Sequence, residues 1–209
     1  MIKIENLSFK YDRKFFAIFN LNLTIFDGQK LVIFSEHELE TQTLFRILSK
    51  QEKGYSGNIF FDGKNLKEMP RKNLDICYLT KTPYLLKNKS VLHNIAYPLI
   101  IRKENKNNSL KLAEKILEKY NLIELKNKKI KNLSKNEQFS IILLRCAIRN
   151  PKFIFCDCIN FDENNFNLFL DICKNATTLV AKNNDNKVES KYAEFDYIKF
   201  VGGSIEKTL

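Results

Sequence analysis

The stretch with the spacing of a chemical site lies between an apolar run and a helix-like segment. Residues 31–34, Leu-Val-Ile-Phe, form a short apolar run that predicts a buried parallel strand. Residues 44–48 carry apolar side chains at helical spacing. A strand, a loop and a helix of this size form the frame of a phosphate-binding loop. Yet the intervening loop, residues 35–43, has no glycine and no lysine but three glutamates.

Those glutamates fall at the predicted start of a helix. Acidic side chains there interact favourably with the helix dipole, by about 0.3–1 kcal/mol each. One hypothesis is that Glu38 or Glu40 takes the position of a bound anion, so that a built-in carboxylate replaces phosphate. The alternative is a solvated acidic loop that only caps the helix. A carboxylate that points away from the loop's own amides would count against the hypothesis that a glutamate replaces the phosphate.

Apolar and alternating segments predict the elements that position this loop. Residues 2–9 and 16–26 alternate and predict an antiparallel pair of strands. Strands alternating with helices then predict an α/β fold with a largely parallel sheet in a single domain, residues 1–209. The other predicted elements are a helix from about Thr43 to Ser49, strands at 58–61, 74–79, 153–156 and 177–181, helices at 91–101, 110–120, 133–148 and 164–173, and a hairpin at 197–207.

Composition limits the classes of function. No apolar run approaches the roughly 18 residues of a membrane helix, and no signal peptide opens the chain, so we expect a cytoplasmic protein. The net charge of +11 is typical of proteins that meet nucleic acid or anionic lipid, although lysine far outnumbers arginine throughout. The densest basic stretch, residues 126–135, lacks arginine and interleaved aromatics, which favours a solvated face near anionic lipid over nucleic-acid binding.

The cysteines predict buried thiols in a reducing compartment. Cys156 and Cys158 share one face of a predicted strand and are the one candidate metal pair. No second CxC or CxxC completes four ligands, which disfavours a metal site. The five positions are Cys77, Cys146, Cys156, Cys158 and Cys173.

With this order of elements, the chain resembles ABC-type ATP-binding subunits over essentially its whole length. Residues 133–138, Leu-Ser-Lys-Asn-Glu-Gln, followed by Asp157, resemble the LSGGEQ helix and the Walker B strand. Residues 28–48 resemble the P-loop segment, and residues 76–99 resemble the Q-loop and the segment behind it. Within the latter, residues 91–99 are similar to the VLENVALPL stretch of the FtsE/LolD/MacB-like branch, closest to the FtsE type of cell division.

This resemblance implies a P-loop NTPase-like (RecA-like) fold. Such folds have a mainly parallel sheet, an N-terminal antiparallel β part and an inserted helical subdomain, here about residues 84–135. It also implies a site for ATP and magnesium, with Asp157 at the metal position. The positions implied for ATP are Tyr11, Ser35, Glu36, His37, Glu38, Leu39, Glu40, Thr41, Gln42, Thr43, Lys81 and Ser134.

At most of these positions the residue type departs from the family pattern. Ser35 and Glu40 replace the P-loop glycines, Thr41 replaces the lysine, and Gln42 replaces the magnesium-binding hydroxyl. Lys81 replaces the Q-loop glutamine. Either it supplies an ammonium beside Asp157 and a loop glutamate in place of magnesium, or it is an exposed lysine at a strand end.

The family's catalytic positions also differ, so we assign no catalytic residue. Cys158 falls where the family has the glutamate that acts as general base, and Asn183 falls at the switch histidine. A thiol with a pKa of about 8.5 is a poor base of this kind. Ser134 survives, but a capping box with Glu137 explains it without a ligand. We therefore expect ATP binding and hydrolysis to be lost or weak.

The function expected is that of a cytoplasmic scaffold at the inner face of the plasma membrane. It would partner an FtsX-like membrane protein in cell division, through the groove near residues 81–99. A homodimer is possible, because family members pair. One alternative is an active ATPase subunit of a LolD/MacB-like ABC exporter, and a second is a basic nucleic-acid-binding module.

Overall fold

The computed structural model describes residues 1–12, 15–81, 84–157, 160–183 and 192–206, without the side chains of Asn183 and Glu206. The chain divides into two compact units. The first comprises Met1–Lys81, Lys152–Ile159 and Asn175–Leu209, and the second comprises Thr82–Pro151 and Asn160–Lys174. No helix in the described residues is both long and apolar enough to span a bilayer.

In the described ranges, the first unit contains the strands, one α-helix and a short 3₁₀ turn at Arg71–Asn73. Its elements in the described ranges are β1 (Ile2–Lys10), β2 (Phe16–Ile25), β3 (Lys30–Ser35), α1 (Glu38–Leu48), β4 (Ser56–Phe61), β5 (Lys64–Asn65), β6 (Ile76–Leu79), β7 (Phe153–Asp157), β8 (Thr177–Asn183), β9 (Asp196–Val201) and β10 (Ser204–Glu206). One sheet has the order β2-β1-β4-β5 and is antiparallel. The predicted N-terminal strand pair is thereby confirmed.

The second sheet of this unit has the order β10-β9-β3-β8-β7-β6. Its five strands from β9 to β6 are parallel, and only β10 runs against its neighbour. Strands β3 and β7 are continuous apolar runs because both faces of a parallel sheet are covered. The prediction of a largely parallel sheet is confirmed.

Helix α1 is fixed to this sheet by its apolar face. Leu44, Phe45, Ile47 and Leu48 are fully buried, and they belong to one core cluster with residues of both sheets. The ring of Phe45 stacks on that of Phe155, with centroids 5.4 Å apart. Burial of a side chain of this size is worth roughly 1.5–3 kcal/mol, so the packing anchors the turn that precedes the helix.

The second unit is helical. Its described elements are α2 (Val91–Ile101), α3 (Lys106–Lys119), α4 (Lys135–Ala147) and α5 (Glu163–Cys173), with short 3₁₀ turns at Ile123–Leu125 and Ile130–Asn132. Each helix begins at a polar side chain that accepts a hydrogen bond from a backbone N–H of the first turn. These caps are Ser90, Asn105, Ser134 and Asp162.

The start of α1 differs from the prediction. A helix from about Thr43 was expected, because a phosphate-binding loop would occupy the residues before it. The helix begins instead at Glu38, five residues earlier. The loop has no glycine to support a wide wrap, and acidic residues at Glu38 and Glu40 favour the first helical turn.

Candidate functional site

The turn between β3 and α1 is short and is closed by the side chain of Ser35. The Ser35 hydroxyl accepts a hydrogen bond from the backbone N–H of His37 at 3.1 Å. It lies 2.8 Å from the His37 carbonyl and 2.5 Å from Oε2 of Glu40. One proton serves only one of these acceptors at a time, and the carboxylate is favoured because charge-assisted bonds are stronger. The loop is thus tied to its own first turn.

Glu40 is the most deeply buried carboxylate of this turn, at 1% exposure. Its Oε1 accepts a hydrogen bond from the backbone N–H of Gly203 at 3.0 Å. Gly203 lies in the β9–β10 turn, and its carbonyl accepts from the N–H of Phe19 at 2.8 Å. The hypothesis that Glu40 sits on the amides of its own loop is therefore wrong. It bonds Ser35 and a distant turn because helical backbone directs its side chain toward the sheet.

Glu38 forms an ion pair with Lys81. The sequence had left two alternatives for this lysine, an ammonium in place of magnesium or an exposed side chain at a strand end. The Lys81 ammonium lies 2.5 Å from Oε1 of Glu38, with side-chain exposures of 41% and 35%. Pairs this exposed contribute about 0–1 kcal/mol. Nearby, Lys199 lies 3.8 Å from Glu36. Two carboxylates of the turn, Glu36 and Glu38, thus have lysines of the same unit as neighbours.

Hydroxyls of the first two turns of α1 are directed inward. Thr41 is fully buried, and its hydroxyl donates to the carbonyl of Glu38 at 3.2 Å. The Thr43 hydroxyl donates to the Leu39 carbonyl at 2.5 Å, so the Tyr11 hydroxyl donates to Thr43 at 3.0 Å. The Tyr11 ring packs edge-on against Phe9 and is 46% exposed.

The carboxyl ends of the parallel strands gather further predicted positions at one edge. Ser35 pairs in register with Asn183, and Asp157 pairs with Ala181. Since β3, β8 and β7 are neighbours, Ser35 and Asp157 end adjacent parts of this edge, where ligands bind in open α/β sheets. Asp157 is 4% exposed. Across the described residues no group of three or more His, Cys, Asp or Glu has the arrangement of a metal site.

Two predicted positions are not covered by the described ranges. Cys158 lies outside the described residues, as does the side chain of Asn183. The other four cysteines are buried, as predicted. Leu39 and Gln42 both belong to α1. Leu39 is 42% exposed, and the Gln42 amide lies 3.5 Å from Oε2 of Glu38.

In the second unit, Ser134 forms the predicted capping box of α4. Its hydroxyl accepts from the N–H of Glu137 at 3.2 Å, and its own N–H donates to Oε2 of Glu137 at 2.7 Å. The bond from the Ser134 N–H holds the pKa of the Glu137 carboxyl below its ordinary value. These contacts account for Ser134 and Glu137 structurally.

The second-unit part of the expected docking groove, residues 84–99, is ordered by a buried amide. Asn94 is fully buried, and it accepts from the N–H of Leu86 at 2.8 Å. Its own NH₂ group lies within 3.5 Å of the carbonyls of Leu86, Lys89 and Ser90. Tyr84 is 81% exposed, and its carbonyl accepts from Arg145 at 2.7 Å. The segment thus offers a large exposed ring on a fixed backbone.

Sequence reasoning missed two residues that shape these sites. The sequence marks Gly203 only as a turn residue, since its partner Glu40 lies 163 positions away. Asn94 falls within a segment that predicts an apolar helix, although a polar residue among Val91, Ile95 and Leu99 is a signal for a buried hydrogen-bond centre. The sequence does not show which groups the Asn94 side chain bonds, and the structure identifies them as backbone groups of Leu86, Lys89 and Ser90.

Comparison with known families gives a direct match. The family model described as ABC transporter matches residues 18–158. The chain is 32% identical over 157 residues to the molybdate/tungstate import ATP-binding protein WtpC of Methanocaldococcus jannaschii, covering 75% of this chain and 52% of that protein. It is 28% identical over 147 residues to the lipoprotein-releasing system ATP-binding protein LolD of Shewanella denitrificans, covering 68% and 63%. The chain therefore spans about half to two thirds of these relatives.

Solved structures share the fold. A dimeric bacterial ABC transporter cassette superposes with a TM-score of 0.80 at 20% identity, over 99% of this chain and 97% of that one. A nucleotide-free ATP-binding cassette from an ABC transporter gives 0.77 at 22% identity, over 99% and 90%. Sequence identities this low establish a shared fold and nothing further. The predicted fold class, P-loop NTPase-like with an antiparallel N-terminal part and a helical insert, is confirmed.

Proposed function

Because this chain belongs to the ABC transporter family, we propose that it is an ABC-type ATP-binding subunit that acts as a scaffold for a membrane protein, with ATP binding and hydrolysis lost or weak. Residues 1–209 act as one ABC-type domain, with residues 84–135 as its helical insert. The observation that carries the proposal is the turn after β3. There Glu40 is buried and bonded to Ser35 and Gly203.

The residues of this turn do not fit a magnesium triphosphate. Proteins of this family generally bind ATP and magnesium, with backbone amides and a lysine around the phosphates. Here Glu36, Glu38 and Glu40 occupy the loop and first turn, and Thr41 is buried. One carboxylate near a phosphate costs roughly 4 kcal/mol at an effective dielectric of about 20. That is roughly a thousandfold in affinity.

The catalytic positions support the same conclusion. Asp157 keeps the family's metal position at the end of β7, but the next residue is Cys158. Loss of a general base typically lowers a rate by roughly 10²–10⁴. Asn183 at the switch position cannot carry a proton in place of histidine. We therefore assign no catalytic residue to this chain.

The proposed partner is an FtsX-like membrane protein in cell division. The chain would lie in the cytoplasm, peripheral to the inner face of the plasma membrane, alone or as a homodimer. Support comes from residues 91–99, which resemble the FtsE-containing branch, and from the exposed ring of Tyr84 beside them. A scaffold can outlast the loss of hydrolysis, whereas a subunit that powers transport cannot.

A second candidate is an active ATPase subunit of a LolD/MacB-like exporter. The name of one relative, the lipoprotein-releasing system protein LolD, favours it, whereas WtpC is named as an import protein. It needs phosphate-binding charge from elsewhere, such as Lys81, Lys135 or a partner chain. Lys81 already lies beside Glu38, so this candidate requires that ion pair to open.

Titration calorimetry with ATP, with and without magnesium, separates the two candidates. The scaffold proposal expects no saturable heat at millimolar ATP, and micromolar affinity would overturn it. Thermal unfolding gives an independent measure, since a ligand at a hundred times its Kd adds about 2.7 kcal/mol of stability.

The partner is tested by co-purification with an FtsX-like membrane protein. We expect Tyr84→Ala to weaken capture, whereas Leu112→Ala, which removes an exposed apolar side chain from α3, leaves it unchanged. Equal capture by both variants would reject the docking surface, and no capture by the unaltered chain would reject the partner.

A further inference from the structure

Two segments far apart in the sequence form one backbone ribbon in the second unit. Residues 87–92 and 126–131 run antiparallel, with a bridge between Ser90 and Lys129. The N–H of Val91 donates to the Lys128 carbonyl at 2.9 Å, and the N–H of Lys131 donates to the Lys87 carbonyl at 3.2 Å. We call these two segments the lysine ribbon.

The lysine ribbon is held in place from beneath. The fully buried amide of Asn94 bonds the carbonyls of Lys89 and Ser90, which fixes one segment. In the other segment, Ile130 is 1% exposed and its N–H donates to the Lys89 carbonyl at 3.3 Å. The backbone that carries the lysines is therefore ordered by buried groups.

The lysine ribbon carries concentrated positive charge. It contains six lysines and no aspartate or glutamate. Lys126 pairs with Glu114 at 2.8 Å. The other five are exposed, and none forms an ion pair with any residue within the described ranges. Those five are Lys87, Lys89, Lys128, Lys129 and Lys131.

We propose that the lysine ribbon is a docking surface for anionic lipid headgroups at the membrane. The choice of a lipid surface rests on the proposed function, which places the chain at a membrane. The chemistry of the lysine ribbon favours this occupant over nucleic acid. It has no arginine for bidentate phosphate or base contacts and no aromatic ring between its lysines for stacking.

The neighbouring Tyr84 strengthens the assignment. It lies three residues before Lys87 on the same ordered segment and is 81% exposed. Tyrosine rings favour the boundary between headgroups and hydrocarbon, because one end is apolar and the other polar. Lysine ammonium groups with a tyrosine at one end are suited to a surface that is anionic outside and apolar beneath.

Electrostatic theory sets the size of the effect. A lysine close to an anionic membrane surface raises binding roughly fivefold, and the attraction decays within a Debye length of about 10 Å at 0.1 M salt. Removal of three lysines therefore lowers the partition coefficient by roughly a hundredfold at low salt. The loss shrinks as salt is added.

The test is sedimentation of the full chain with vesicles, without ATP or any protein partner. Vesicles of equal parts phosphatidylglycerol and phosphatidylcholine are compared with phosphatidylcholine alone. The ribbon variant is Lys128→Gln, Lys129→Gln and Lys131→Gln. The matched control, with the same change of charge on exposed lysines of the first unit, is Lys53→Gln, Lys64→Gln and Lys72→Gln.

We expect salt-sensitive binding to the anionic vesicles that the ribbon variant loses and the control keeps. Equal loss in both variants would overturn the proposal in favour of diffuse attraction by the net charge. No binding by the unaltered chain would overturn it outright. So would a ribbon-dependent affinity for single-stranded RNA that exceeds the affinity for vesicles.

These outcomes are distinct from a failure of the proposed function. Tight ATP binding or the absence of an FtsX-like partner would reject the scaffold role while ribbon-dependent vesicle binding stands. If the chain captures the partner but does not bind vesicles, only the proposal that the lysine ribbon binds lipid headgroups is rejected.

Discussion

At the scale of single residues, two glutamates hold the same position and do different work. Glu40 and Glu137 are each the third residue of their helix. Glu137 reaches back to the N–H of its own cap, Ser134, as a capping box requires. Glu40 instead bonds Ser35 and the N–H of Gly203, so it joins the helix to a distant turn. A glutamate at the third position of a helix therefore does not always complete a capping box.

Replacement of Glu40 tests this tie. Glu40→Ala leaves the buried Gly203 N–H without its acceptor, and we expect a loss of about 2 kcal/mol in the free energy of unfolding by urea. Glu40→Gln keeps an acceptor for Gly203 and should cost less than half as much. Leu39→Ala, at an exposed neighbour, is the control. Equal effects of Leu39→Ala and Glu40→Ala would contradict the role.

We expect the ion pair between Glu38 and Lys81 to contribute less to the free energy of unfolding than the buried hydrogen bonds of Glu40. Both side chains are about a third or more exposed, so a double-mutant cycle with Glu38→Gln and Lys81→Gln should give a coupling below about 1 kcal/mol. The coupling should fall further in high salt because exposed pairs are screened. A coupling of several kcal/mol would show that the pair is less solvated than its exposure indicates.

At the scale of elements, the start of each helix decides what the turn before it offers. Helix α1 begins at Glu38, and its cap position, His37, contributes no side-chain bond. Ser35, two residues before the cap position, instead accepts a hydrogen bond from the N–H of His37. Helix α4 has a complete capping box instead. In both helices a side chain at or before the first turn therefore accepts a hydrogen bond from a backbone N–H.

The capping box of α4 predicts a pH dependence. Bonding to the Ser134 N–H lowers the pKa of Glu137 in the folded chain below its ordinary value of 4.5. This contribution to stability is therefore complete above pH 4.5 and is lost as the pH falls through the lowered folded pKa. Urea unfolding between pH 6 and pH 3 should show the decline, and Glu137→Gln should reduce it while keeping a cap. An unchanged slope in that variant would contradict the assignment.

At the scale of the whole molecule, the parallel sheet and its helix have the fold of an ATP-binding cassette, and the turn after β3 at the edge of the sheet is acidic. The helix is anchored to the sheet by the packing of Phe45 on Phe155. Such packing needs only apolar residues at the right positions, which this chain keeps. A phosphate site at the edge would need particular polar residues, and the proposed loss of ATP binding concerns only those.

The mass of the molecule in solution should be independent of nucleotide. This expectation follows from the proposed loss of ATP binding, since the resemblance puts Lys135 and Asn136 where the family has the glycines that approach the partner's nucleotide. Light scattering should give the same mass, the 24.6 kDa chain or a fixed multiple of it, with and without magnesium and ATP. A doubling of mass on addition of nucleotide would contradict the proposed loss of binding.

Periodicity in the sequence was enough to predict nearly every strand and helix. Buried runs such as residues 31–34 and 153–156 are strands in the structure because hydrophobic burial depends on local pattern. The predicted beginning of α1 was wrong by five residues. The frame of a phosphate loop suggested a wide turn, whereas the helical first turn is stabilised by contacts with Gly203 that no local pattern reveals.

By itself, the sequence determined the α/β class, the caps Ser134 and Glu137, and the residue types that fill the phosphate-loop frame. Those properties depend on neighbours within a few residues. Only the tertiary structure decided that Glu40 bonds Gly203 and that residues 87–92 lie beside residues 126–131. The reason is physical, because hydrogen bonds and charge clusters form between groups that are near in space, and chain topology alone brings such distant positions together.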